Sequence, residues 1–166
     1  MVLVIDGFNL IYKFPHLEQL MYENKLNEAR NGLISIFLKY LKKKKNSEIH
    51  LFFDGRKDKG SPVEKDFIEG IRIYYSLDEK ADLIIKDFIK KNLSSKNLFV
   101  VSSDKDIIFY SKRYGCRSYK SEEFATLVNS LFHKEEEKNE SEFRENRMLS
   151  KEEISYWADL FRNREN

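Results

Sequence analysis

Apolar residues recur along this chain at two spacings, and the alternation between them lays out a fold. Met1-Val2-Leu3-Val4-Ile5 is unbroken apolar sequence rich in β-branched residues, the pattern of a strand buried on both faces of a parallel sheet. Ile49-His50-Leu51-Phe52-Phe53 and Leu98-Phe99-Val100-Val101-Ser102-Ser103 repeat that pattern, and Ile71-Arg72-Ile73-Tyr74-Tyr75 alternates as a further strand would. Between these runs the spacing becomes helical. Leu26, Ala29, Leu33, Ile36, Phe37 and Tyr40 predict an amphipathic helix over about residues 26–44. Leu83, Ile84, Ile85, Phe88 and Ile89 predict a second, with Ser76 or Asp78 as its cap. Ile107 to Tyr114 predict a third, closed by Gly115, and Ser121 begins a fourth that runs to about Phe132. Leu10 to Lys25 reads as a loop and a short helix, with Pro15 barring regular structure just before it, and Arg117-Ser118-Tyr119 as a short edge strand at most. The order β–α–β–α–β–α–β–α is that of a three-layer α/β/α sandwich with a mainly parallel central sheet.

From His133 the periodicity fades. Residues 133–149 read as a charged linker. Ser150-Lys151-Glu152-Glu153 is a capping box, and it opens a final amphipathic helix over 150–166 with Ile154, Trp157, Leu160 and Phe161 on one face. Residues 1–132 then form one domain with a single core. At 35% charged and 41% hydrophobic the composition is that of a soluble globular protein. No apolar run approaches the ~18 residues that cross a membrane. The chain enters its first strand without a basic leader, so no signal peptide is expected. Cys116 is the only cysteine, which rules out an intrachain disulfide, fits a reducing cytoplasm, and reads as structural. The net charge of +2 divides into −3 over residues 133–166 and +5 over the remainder. A modestly basic body is compatible with a polyanionic partner.

The chemistry lies where the strands stop. Three apolar runs end on Asp6, Asp54 and Asp104, and in open α/β sheets ligands bind just outside the carboxyl ends of the strands. Gly7 and Asn9 follow Asp6. Glu79 and Asp82, three apart at a helix start, share a helical face that the preceding strand delivers to the same rim; Asp106 lies beside Asp104. Each of these acids also has a structural reading, as a turn former or a helix-start stabiliser. Together they repel, and a hard divalent cation, Mg²⁺ or Mn²⁺, resolves the conflict. Such a site activates water and steadies an in-line displacement at phosphorus. Arg56, Lys57 and Lys59, in a glycine- and proline-bounded loop expected to be mobile, are candidates for phosphate contact. So are Lys42, Lys43, Lys44 and Lys45, although a helix C-terminus favours cations anyway. His16, His50 and His133 make no Ser-His-Asp arrangement, and no Walker-type glycine loop is present.

Val4-Ile5-Asp6-Gly7-Phe8-Asn9, Phe53-Asp54-Gly55, Glu79-Lys80-Ala81-Asp82 and Val100-Val101-Ser102-Ser103-Asp104, in that order, resemble the YacP-like group of NYN-domain ribonucleases within the PIN-like nuclease superfamily. The resemblance covers roughly residues 1–130. It implies a PIN-like sheet and a Mg²⁺- or Mn²⁺-dependent endoribonuclease acting on RNA, in some members on messenger RNA at the ribosome. It maps the acidic, metal-holding site onto Asp6, Asp82 and Asp104, with Asn9 as polar partner and Glu79 in the Glu-x-Ala-Asp pattern. Asp54 and Asp106 are candidate additional acids. The alternative is a non-catalytic RNA- or ribosome-binding module that keeps the fold.

Overall fold

The computed structural model describes residues 1–93, 97–147 and 155. Six strands, β1 (Val2–Asp6), β2 (Glu48–Phe53), β3 (Lys65–Ile68), β4 (Ile71–Tyr75), β5 (Leu98–Val101) and β6 (Arg117–Tyr119), form one sheet in the order β3-β4-β2-β1-β5-β6. All neighbouring pairs are parallel except β3 with β4. The helices are α1 (Gly7–Ile11), α2 (Pro15–Tyr22), α3 (Leu26–Lys43), α4 (Ala81–Lys91), α5 (Lys105–Arg113) and α6 (Ser121–Arg147). The mainly parallel α/β architecture expected from the sequence is therefore present. Strand β3 was not expected; its burial alternates only weakly, and it is an edge strand that follows a polar loop.

Both faces of the sheet are covered, which is why its central strands are apolar throughout. Val4, Phe52, Leu98 and Val100 pack with Ala81, Ile85 and Ile89 of α4 and Ile107 of α5. On α3, the fully buried Phe37 and Tyr40 meet Phe124 of α6 with ring centroids 6.3 and 6.0 Å apart. Helix α1 starts directly off β1, at the residue after Asp6, and takes in Leu10 and Ile11 at the start of the stretch expected to be a loop and a short helix. Gly7 is needed there for space. A Cβ would stand 2.5 Å from the Phe53 ring and 2.7 Å from the Phe52 carbonyl oxygen.

The chain forms two compact units, Met1–Val128 and Asn129–Asn166. Helix α6 begins in the first and continues in the second through the charged segment to Arg147. The helix expected over 150–166 lies, Ser155 aside, outside the described residues.

Candidate active site

The sheet order reverses at β1, because the chain moves from β1 to β2 on one side and returns with β5 on the other. A crevice at such a reversal is the usual ligand position in an open α/β sheet. Asp6 closes β1 at this point and caps α1. Its Oδ2 accepts hydrogen bonds from Asn9 Nδ2 (2.7 Å) and Ser102 Oγ (3.0 Å), and its Oδ1 accepts from the Asn9 backbone N–H (3.3 Å). The side chain is buried at 7% exposure. Burial pushes its pKa up and the charge of Asp54 adds to this, while the hydrogen bonds from Asn9 and Ser102 oppose it.

Asp104 is exposed and caps α5, its Oδ1 accepting from the backbone N–H groups of Asp106 (2.8 Å) and Ile107 (3.2 Å). Ser102 links the two acids, since its Oγ also accepts from the Asp104 backbone N–H at 3.1 Å. It is fully buried just past β5. Sequence reasoning took Ser102 for the end of the strand. Only the pairing of β1 with β5 gives it a role.

Asp54 spans from the end of β2 to α4, its Oδ1 accepting from the Ala81 backbone N–H at 2.6 Å. The cap of α4 thus comes from another strand and from neither Ser76 nor Asp78. Ser76 Oγ accepts from Gly55 N–H and donates to the Glu79 carbonyl, and Asp78 pairs with Arg56 at 2.7 Å. Because α4 begins at Ala81, Glu79 lies outside it, exposed in the preceding turn, and does not share a helical face with Asp82. Asp82, in the first turn, has its Oδ1 buried without a hydrogen-bond partner and its Oδ2 3.7 Å from Lys86 Nζ. Asp106 is exposed and also pairs with Lys86.

The basic residues separate into two places. Arg56, Lys57 and Lys59 follow β2 and stand at the acidic end of the sheet. Lys42 to Lys45 lie just before β2, whose first residue Glu48 is paired with Val2 at the start of β1. They therefore sit at the opposite end from Asp6, where the helix-dipole reading accounts for them. The 56–59 loop, expected to be mobile, is anchored. Arg30 of α3 donates to the carbonyls of Asp54 (2.7 Å), Arg56 (2.8 Å) and Lys57 (3.3 Å). Its guanidinium carbon lies 5.5, 5.2 and 5.5 Å from the ring centroids of Phe8, Phe53 and Tyr75. Lys57 pairs with Asp66 at 2.6 Å. A cavity of about 470 Å³ opens between this loop and the start of α3, lined by Lys25, Arg30, Arg56, Lys57 and Lys59 among others.

The donor set at the rim is all oxygen, the type that a hard divalent cation takes, and Asp82 Oδ1 has no hydrogen-bond partner that would compete for it. Among the described residues no three His, Cys, Asp or Glu side chains are arranged to hold an ion. An ion such as Mg²⁺ commonly takes one or two protein carboxylates and completes its shell with water and substrate phosphate.

The family model of the YacP-like NYN domain matches residues 3–162, past the stretch of about 1–130 that carries the motif resemblance. Two crystal structures of Rae1 (YacP) from Bacillus subtilis are similar in fold. One has a TM-score of 0.68 at 20% identity, covering 99% of this chain and 92% of the other. The second, a single-residue variant, has a TM-score of 0.67 at 20% identity, covering 90% and 85%. No curated protein matches the chain.

Proposed function

The chain belongs to the YacP-like NYN domain family, with its nuclease-like fold, and from that premise we propose that it is a Mg²⁺- or Mn²⁺-dependent endoribonuclease. The observation that carries the reading is Asp6: a buried carboxylate, clamped by Asn9 and Ser102 at the sheet's reversal point and facing the charge of a second carboxylate. Burying a charge in this way is costly unless a counter-ion compensates it. Asp6, Asp82 and Asp104 would hold the divalent ion, directly or through water. The bound ion would supply a nucleophilic water at neutral pH and neutralise charge at the phosphorus.

The chain's own residues do the rest. Asn9 holds the Asp6 carboxylate in place with a bond to each oxygen. Asp104 caps α5 with Oδ1, and the cap does not use its Oδ2. Asp54 sets the start of α4, and with it the position of Asp82; Asp106 is the remaining candidate acid, and Glu79 stands further out in the turn. RNA is the substrate class the family suggests, and the Arg56–Lys59 loop offers its phosphates cations beside the acids. Messenger RNA on the ribosome is a narrower form of the same proposal, as is a cytoplasmic location.

Incubation of labelled RNA with the full chain, in chelator and in Mn²⁺, tests the proposal. Internal cleavage only with the metal present is the expected result. Retention of RNA without cleavage under both conditions would instead identify a binding module.

A further inference from the structure

Lys86 is a cation that pairs with two of the rim acids. It lies one turn after Asp82 on α4, with Asp82 Oδ2 at 3.7 Å, and also pairs with Asp106 on α5. Its side chain is only 19% exposed, and its ammonium lies 5.8 Å from the centroid of the Tyr110 ring. The hydrogen bond it donates to Asp106 raises its pKa, burial opposes this, and the charges of Asp106, Asp82 and Asp104 add to the rise. An Asp–Lys pair four apart on a helix is common and worth only a few tenths of a kcal/mol. A lysine that also bridges to a second helix and is largely shielded from water goes beyond that role. Asp82 then has one oxygen turned towards an ammonium and the other buried without a partner.

We propose that Lys86 is a tethered counter-ion, placed between Asp82 and Asp106, which an incoming divalent cation must displace to gain full use of Asp82. This rests on the divalent-metal reading of the rim. Lysine suits the task because its ammonium is a compact point charge on a flexible four-carbon stem, able to withdraw without disturbing the backbone. The residue thus lowers the affinity of the site for metal while keeping the acids neutralised until metal arrives.

Calorimetric titration of Mn²⁺ into the full chain tests this in the wild type, Lys86→Met, Lys86→Arg and Asp82→Asn, with circular dichroism as the check on folding. Removing a positive charge a few ångströms from a divalent ion should tighten Mn²⁺ binding about tenfold or more in Lys86→Met. Lys86→Arg should stay near the wild type, and Asp82→Asn should bind more weakly than either. A purely structural lysine would lower the melting temperature of Lys86→Met and leave Mn²⁺ affinity unchanged or reduced. That outcome overturns the inference while the metal reading stands. Absence of Mn²⁺ binding in every protein overturns both. Should Lys86→Met fail to fold, Lys86→Gln removes the same charge while keeping a polar end, and the same comparison decides.

Discussion

Ser102 shows how much one hydroxyl can settle. It donates to Asp6 and accepts from the Asp104 backbone, so two acids from different strands share one orientation. Ser102→Ala would leave a buried carboxylate oxygen short of a donor and the Asp104 N–H without its acceptor. It should destabilise the protein by about 1–3 kcal/mol, read from urea denaturation. A loss below ~0.5 kcal/mol would show that water replaces the hydroxyl. Asp6 and Asp104 were legible because an apolar run ending on an acid is a local signal. Ser102 was not, since its partner is 96 positions away. Arg30 was hidden differently. It is buried on the inner face of α3 between Ala29 and Leu33, where a charged residue reads as an outward one. Arg30→Met should cost about 2–3 kcal/mol through the lost charged hydrogen bonds, and should expose the 55–61 loop to limited proteolysis. Protection equal to the wild type would mean that the loop holds itself.

Among the elements, β2 carries the clearest pH signal. His50 lies in this strand with Nδ1 2.8 Å from the Tyr74 hydroxyl on β4 and Nε2 3.0 Å from Glu48. Burial lowers its pKa, while the Glu48 hydrogen bond and charge oppose that. A folded pKa below the unfolded 6.5 means that the unfolded chain takes up the proton more readily. The stability this histidine contributes is therefore present above pH 6.5 and lost as the pH falls through the folded value. Urea unfolding between pH 8 and 5 should show that decline in the wild type and a shallower one in His50→Gln. Equal slopes would remove His50 as the cause. At the same scale, the bounds of α3, α5 and the four main strands were readable from periodicity. The Gly115 cap was readable too, with its backbone in the left-handed region at φ 74°. The start of α4 was not, because Asp54 supplies its cap across the sheet and no local residue betrays that.

For the whole molecule, the strand order turns scattered acids into one rim. Parallel β1, β2 and β5 deliver Asp6, Asp54 and Asp104 to a common end, while the same order carries Lys42 to Lys45 away from it. Which end of the sheet Lys42 to Lys45 occupy was not readable, because a basic run carries no sign of it. RNA affinity should fall steeply with added salt, and neutralising Arg56, Lys57 and Lys59 together should flatten that dependence by up to ~2 in log–log slope, at ~0.7 per lost contact. The change should fall short of that ceiling, because Arg56 and Lys57 already hold Asp78 and Asp66. An unchanged slope would take the loop out of the RNA surface.

The metal-dependent chemistry proposed for the rim is tested most directly by single-turnover cleavage of labelled RNA in Mn²⁺, comparing the wild type with Asp82→Asn and Asp104→Asn. Both changes conserve size, and asparagine caps a helix about as well as aspartate, so α5 should keep its start in the second variant. Cleavage should fall by ~100-fold or more in each variant, about 2.7 kcal/mol of barrier, with circular dichroism and melting temperature near the wild type. Wild-type cleavage rates in both folded variants would contradict it.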